Sequence, residues 1–430
     1  MRKRILFLFS SIFLVGSIQS QTDTGFIICL QNNETGLITA KIQHAIDSCA
    51  SAGGGIVRFA EGRYLSGALQ LKSNVKLHFD KGAVLQGSDN YLDYGKGEWK
   101  NGLITGDSLF NISIEGEGLI DGVNCYNPNG EEGFRGPHCI RLTNCKNIII
   151  QGITIINAAN WAINCRHSRD AKIEQVSIRG GHDGLHTRFC RNFTVTGCDF
   201  RTGDDAFAGC DNRDFKVYDC NINTSCNGFR FGCLNFTVKN CRLWGPGEYE
   251  HRISHRTNML AAFVHFSPED ENPKELSGNW LIQDVTIRNV DCVYNYNYEN
   301  GLWQTGQPVT TLVFENIKAA GILRSFSMAG DQNKSLRLII RNADFSFREG
   351  SGEYESAFEG VKAASSAFFN ARNFDILELH HVTFHHNGKI PVLHCISGNK
   401  VWLDQVKSLP ASELLPYKLE NIGAIINEMP

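Results

Sequence analysis

The chain of 430 residues has little net charge: 42 Lys and Arg stand against 45 Asp and Glu, leaving −3. A basic face for nucleic acid is therefore not expected. Methionine is scarce, at four residues. Beyond the N-terminus no apolar run approaches the roughly 20 residues that cross a bilayer, so a bundle of membrane helices is excluded. No Cys-x-x-Cys occurs among the 15 cysteines, which removes the commonest zinc and redox signature. The Leu-x-x-Leu-x-Leu spacing of leucine-rich repeats is missing as well. No linker divides the chain into parts.

The first 23 residues are of a different kind. Arg2, Lys3 and Arg4 precede a mostly apolar run from Ile5 to Val15, and small and polar residues follow to Ser20. This is the pattern of a secretory signal peptide (residues 1–20), cut after Ser20. Residues 21–430 are then expected as a single exported domain, periplasmic or secreted.

What the chain has in abundance is glycine, 42 residues, and a phrase that repeats. Ile150, Ile173, Val195, Val217 and Val238 occupy matching positions in successive β-branched, alternating segments. Gly, Asn and Asp stand at the corners of each unit. A fixed period of this length marks a solenoid. The alternation marks short strands rather than helices. The expected fold is all-β: a parallel β-helix whose equivalent residues form columns at the interstrand spacing of about 4.8 Å. Thr39 to Ala50 has apolar residues at helical spacing and ends before Gly53-Gly54-Gly55, so one amphipathic helix is expected to cover the N-terminal end of the core.

The columns locate chemistry. Counted from Ile153, Val176, Cys198 and Cys220, one column holds Asn160, Asp183, Asp205 and Asn227. The neighbouring column holds Ala159, His182, Asp204 and Cys226, and a third Ile163, His186, Ala208 and Arg230. Asp183 should stack on Asp205, with Asp204 beside it. Three such carboxylates repel, and at least one pKa rises. Folding does not need this arrangement. A hydrolase does, because one carboxyl must hold a proton while another takes one from water.

Cysteines repeat too. Cys198, Cys220 and Cys241 share one column, and Cys145, Cys190 and Cys233 another; free, stacked thiols packing as small apolar groups are expected. Cys29, Cys49, Cys125, Cys139, Cys292 and Cys395 leave room for a disulfide. Metal and cofactor sites are not expected. The His182/His186 and His251/His255 pairs lie on strand and turn, where that spacing does not converge. Near the C-terminus, His380-His381 and His385-His386 alternate along a strand.

The opening IQHAIDSCASAGGGIVRFAEGRYLSGALQLKSNVKLHFDKGAVLQGS, followed by GEGLIDG, IIIQGITIINAANW, HDG and TGDD, resembles polygalacturonase-like proteins, glycoside hydrolase family 28. The resemblance covers about Thr39 to Gly232. It implies a right-handed parallel β-helix and inverting hydrolysis of a pectin-like or other uronate-containing glycan. Asp204 would be the general acid, and Asp183 and Asp205 would activate water. Two departures matter. Where the family has a His one rung later, this chain has Asn227. The family's Arg-Ile-Lys motif is matched only by Arg252-Ile253-Ser254. His182 and His186 are candidate substitutes for the His. Arg230 and Arg252 are candidates to grip a substrate carboxylate, and His182, His186, Asn227, Arg230 and Arg252 together form the expected substrate-binding set.

The stretch from Trp244 to Pro268 breaks the period and is expected to border the carboxylates, with Trp161 and Tyr249 as stacking platforms for a sugar. Long stretches after Gly122 and Val293, if they close one end of the cleft, favour action on chain ends. Two readings in other classes stand beside the hydrolase: a lyase or epimerase using calcium on the Asp cluster, and a glycan-binding β-helix without turnover.

Overall fold

The computed structural model describes residues 26–31, 35–95, 101–266, 276–298, 307–351, 367–386, 390–410 and 417–428. The expected leader, residues 1–20, lies outside them. Among the described residues no helix is long and apolar enough to cross a membrane.

The strands pair in parallel in one continuous ladder, a right-handed parallel β-helix. A typical rung runs Ile163–Arg166, Arg169–Glu174, Ser177–Gly180, and the next repeats it as Leu185–Arg188, Arg191–Thr196, Asp199–Thr202. The repeat read from the sequence is the register of the ladder. Ile150 pairs with Ile173, Ile173 with Val195, Val195 with Val217 and Val217 with Val238. The same column continues through Ile282, Phe314, Ile340, Leu379 and Leu403, all buried. Alternation drives this: inward residues stack on their own kind, and the outward residues between them meet water.

A second inward column is aromatic. Phe207, Phe229, Phe263, Tyr294, Phe326 and Phe369 follow one another rung by rung, and the Phe207 and Phe229 rings stack at 4.6 Å. Tyr294 therefore belongs to the core, and Val290–Asn297 is a strand. The long interruption expected after Val293 does not begin there. Its later part, residues 299–306, lies outside the described residues.

The corners are held by polar ladders. Asn111, Asn147, Asn192 and Asn235 take positive φ, a conformation that Asn tolerates better than most residues. Each donates its side-chain amide to the corner residue one rung before: Asn111 to Asn74 at 2.9 Å and Asn192 to Asp170 at 2.7 Å.

The helix expected at the N-terminus is Thr39–Ser51, burying Ile42, Ala45, Ile46 and Cys49. It ends because Gly53 and Gly54 have φ of 91° and 139°, and a Cβ on Gly54 would stand 2.7 Å from the Asn74 carbonyl. At the other end lies Tyr417–Glu428. It forms another rung, paired in parallel with Leu393–Asp404.

All fifteen cysteines are free, so the bridge that six of them left open is not made. Cys198, Cys220 and Cys241 do stack and interact. The other expected column is mixed: Ser168 lies between Cys145 and Cys190, and Asn212 between Cys190 and Cys233. Their side chains accept hydrogen bonds from the backbone N–H of Cys145 at 3.1 Å and of Cys190 at 3.1 Å.

Candidate active site

The site is built on two short turns, 181–184 and 203–206, where the chain passes from one sheet to the next. Backbone bonds fix the register here: Ala162 N–H donates to the Asp183 carbonyl, Gly184 N–H to that of Asp205 and Ala206 N–H to that of Asn227. The polar column is therefore Trp161, Asp183, Asp205, Asn227. Trp161, not Asn160, heads it, because the 157–162 turn is longer than the two after it. The same shift puts Asn164, not Ile163, in line with His186, Ala208 and Arg230. Asn160 instead donates to the Gly136 carbonyl at 3.4 Å.

The three aspartates converge as expected, with an oxygen of each within 4.8 Å of the others. Asp183 and Asp205 are buried, at 2% and 1% exposure, while the Asp204 side chain is 15% exposed. Their partners differ. Asp205 accepts from Arg230 Nε and, at 2.8 Å, from Asn227 Nδ2. Asp204 Oδ2 lies 3.5 Å from Arg135 Nη2 and 3.6 Å from His251 Nε2. Among the described residues, the side-chain partner of Asp183 is His186, Nδ1 to Oδ2 at 3.0 Å.

This partition sorts the protons. Burial, then the neighbouring Asp204 and Asp205 carboxylates, push the Asp183 carboxyl well above the usual range. Burial also opposes the charge of Asp204, but the hydrogen bond and charge of His251, with Arg135 and Arg230, outweigh it and hold that carboxyl below the usual range. His186 is kept neutral by burial and by Arg230. Burial and Arg135 lower His182 to about 3. Two guanidiniums thus face Asp204 and Asp205, and Asp183 is the carboxyl whose hold on a proton is strengthened.

The remaining expected residues divide. His186 lies under the site, its ring stacked on Trp161 with centroids 3.6 Å apart, so both position Asp183. Trp161 is thereby engaged by protein, and Tyr249 holds the Ser225 hydroxyl through its carbonyl. His182 takes Arg135 Nη1 at 3.2 Å on Nδ1 and stacks on Phe134 at 5.8 Å; its buried Nε2 has no protein partner. Asn227 Oδ1 is likewise buried and unpartnered. Arg252 does not reach the carboxylates. It lies exposed on the rim, donating to Asn124 at 3.3 Å with its guanidinium 6.0 Å from the Phe134 ring.

The period-breaking segment does border the cluster, as residues 245–258; its second half, Met259–His265, resumes as a strand. It delivers His251, whose Nδ1 accepts from Ser254 N–H at 3.0 Å. It also delivers Arg256, which donates to Cys226 Sγ at 3.1 Å. Sequence reasoning missed Arg135 and the role of His251. Both sit on insertions that carry no column, so the repeat gives no signal for them. Among the described residues, the groupings able to hold a metal are the three aspartates and Asp204 with Cys226 and His251.

Comparison with known proteins bears on this arrangement. The model of glycosyl hydrolases family 28 matches residues 49–228, which includes Asp183, Asp204, Asp205 and Asn227. An endo-polygalacturonase of Pectobacterium carotovorum subsp. carotovorum is 25% identical over 204 residues, 40% of this chain and 50% of that protein. A polygalacturonase of Ralstonia nicotianae is 34% identical over 121 residues, 24% of this chain and 22% of that protein. The chain spans half or less of the length of these curated relatives. Among solved structures, an exopolygalacturonase of Thermotoga maritima aligns with a TM-score of 0.60 at 18% identity, over 75% of this chain and 88% of that one. A likeness at that identity speaks for the β-helix alone.

Proposed function

We propose that this chain, polygalacturonase-like and of glycosyl hydrolase family 28 over residues 49–228, hydrolyses a glycosidic bond in a uronate-bearing, pectin-type glycan. The observation that carries the reading is the uneven sharing of charge among three converging carboxyls. Asp204 and Asp205 each pair directly with a guanidinium, and among the described residues Asp183 pairs with none. Unlike proton affinities in one cluster are what acid and base roles require. In this reading Asp183 gives its proton to Asp204, an oxygen of which lies within 4.8 Å, when substrate binds; then, with Asp205 stacked on the adjacent rung, it holds and deprotonates the attacking water. Asp204, the most exposed of the three, protonates the leaving oxygen. Export by way of residues 1–20 belongs to the same reading.

Asp204 is ionised in the free site and must gain a proton to act. A uronate supplies the means. Its carboxylate, arriving beside Arg135, competes for the guanidinium that pairs with Asp204 and adds negative charge nearby. Both effects raise the proton affinity of Asp204. A neutral sugar does neither. The missing family His is compensated in space: His251 reaches Asp204 from the 245–258 segment, while Asn227 orients Asp205.

Inversion, which the family resemblance implies, is proposed with a particular geometry. One oxygen of each carboxyl lies within 4.8 Å of the others, a nearest approach that leaves less room than the roughly 6.5–9.5 Å usual between an inverting acid and base. The water therefore sits against the Asp183–Asp205 pair rather than midway between acid and base. Proton NMR of the first anomer released tests this. The inverted anomer is expected, and a retained anomer makes one Asp a nucleophile.

A calcium-dependent lyase on this cluster is disfavoured, because a cation would have to displace Arg135 and Arg230 from the carboxylates. Release of reducing ends from pectic and other acidic oligosaccharides, indifferent to chelator, supports the hydrolase. An unsaturated, ultraviolet-absorbing product lost with chelator refutes it. Binding without turnover on the whole panel leaves a glycan-binding β-helix.

A further inference from the structure

The turns at 157–162, 181–184 and 203–206 lie in successive rungs and form the floor of the site. A glycan following the solenoid axis would cross them in order. The insertion at 122–137 belongs to the rung before 157–162, about two interstrand spacings, or roughly 10 Å, from the Asp183 rung. It does not stand away from the floor. Gly136 N–H donates to the Ala159 carbonyl at 3.1 Å, and Asn160 holds the Gly136 carbonyl. These bonds seat the insertion on the first of the three turns. Its tip then reaches the second and third: Phe134 stacks on His182, and Arg135 contacts both His182 and Asp204. Glu132 accepts from Arg135 Nε at 2.7 Å and tethers the side chain within the insertion.

A second insertion ties the first down. Residues 245–258 rise from the other side of the floor and lean back across it. The Glu250 carbonyl lies where a Cβ on Gly203 would meet it at 2.3 Å, and the Arg252 side chain lies 2.6 Å from a Cβ on Gly181. The glycines flanking the aspartates, in Gly181-His182-Asp183 and Gly203-Asp204-Asp205, are thus the bed on which this insertion rests. Its Arg252 donates to Asn124 and covers Phe134, joining residues 128 positions apart. The consequence is visible in burial: His182, Asp183 and Asp205 are 3%, 2% and 1% exposed.

We infer that the cleft is closed on its N-terminal side by Phe134 and Arg135, and that the protein attacks glycans at a chain end rather than internally. A polymer cannot continue past Asp183 in that direction, because Phe134 and Arg135 occupy the path. The terminal sugar meets a wall carrying one cation, Arg135, and one aromatic ring, Phe134. Arg252 acts from the rim by holding the wall in place.

The inference rests on the hydrolase reading, and one experiment separates the two. The full chain is incubated with de-esterified polygalacturonate and with a graded series of its oligomers, and products are sized from the earliest times. A single short product from the first time point is expected, with polymer viscosity falling no faster than mass is removed. Phe134→Ala and, separately, Asn124→Ala are expected to add longer products by opening or loosening the wall. A ladder of intermediate lengths from the wild type at early times overturns the inference and leaves the hydrolase standing. No new reducing ends from these or from any other uronate-bearing glycan of the panel above overturns the inference together with the reading beneath it.

Discussion

Replacing Asp183 by Asn should make the protein more stable and much less active. Asp183 is 2% exposed, pairs with no cation among the described residues, and has an oxygen of each of two other carboxyls within 4.8 Å. At that separation and an effective dielectric constant of about 20, each like-charge pair costs roughly 3 kcal/mol. Arg135 and Arg230 offset part of this, but they lie against Asp204 and Asp205. Burial adds to the cost, and the carboxyl stays protonated well above the usual range. Asn keeps the shape and removes the charge, so a gain of about 1–3 kcal/mol at pH 7 is expected. The pH dependence carries the sharper signature. An unfolded Asp titrates near 3.9, whereas folded Asp183 holds its proton to higher pH. Between these values the unfolded state binds fewer protons, so Asp183 lowers stability as pH rises through the window and by a constant amount above it. Thermal or denaturant midpoints of wild type and Asp183→Asn, measured from pH 4 to 8, should therefore diverge as pH rises, with the variant higher. Parallel curves, or a variant less stable at pH 7, would refute the assignment of the proton to Asp183. Turnover should fall roughly 10²–10⁴-fold, the usual range for loss of a general acid or base.

Four further outcomes follow from the same geometry. Arg230→Leu leaves Asp205 buried without its cation and should cost roughly 3–5 kcal/mol by denaturant titration; Arg230→Lys should recover part of it. His251→Ala removes a contact that keeps Asp204 ionised, so the alkaline limb of the kcat/KM profile should move to higher pH; an unmoved limb separates His251 from the acid. A substrate whose carboxyls are reduced to alcohols should lose kcat as well as affinity, since it cannot draw Arg135 from Asp204; a loss confined to KM would limit Arg135 to binding. Because all fifteen cysteines are free, the melting midpoint should be the same with and without a thiol reductant.

How much of this was legible in the sequence depends on whether a residue lies in the repeat. Ile150, Ile173, Val195, Val217 and Val238 announced the ladder because each inward position must match the residue stacked on it. Asp183 and Asp205 were legible for the same reason, and Asp204 by adjacency. Asn160 and Ile163 were misplaced by one position because counting assumes turns of equal length, and the 157–162 turn is longer. Tyr294 read as the start of a loop, since a polar-tipped aromatic beside Asn residues resembles one; the aromatic column that buries it is visible only in three dimensions. Arg135 and the role of His251 were beyond reach, and Arg252, though named from its motif, was expected at a substrate carboxylate rather than against Asn124 and Phe134. All three come from insertions outside the period, and their meeting over His182 and Gly181 depends on how two loops fold back onto the turns. The two departures from the family pattern look different in space. Asn227 is no gap, since it orients Asp205, and a histidine is present at Asp204 after all, delivered from another loop.

The most direct test of the central claim is a comparison of wild type with Asp204→Asn on a panel of uronate-bearing oligosaccharides. The rate of reducing-end release and the affinity for the same ligands are measured side by side. Turnover by the wild type that is lost in the variant, with binding retained, is the predicted result. Release that survives Asp204→Asn would contradict the role of the cluster as the seat of the chemistry.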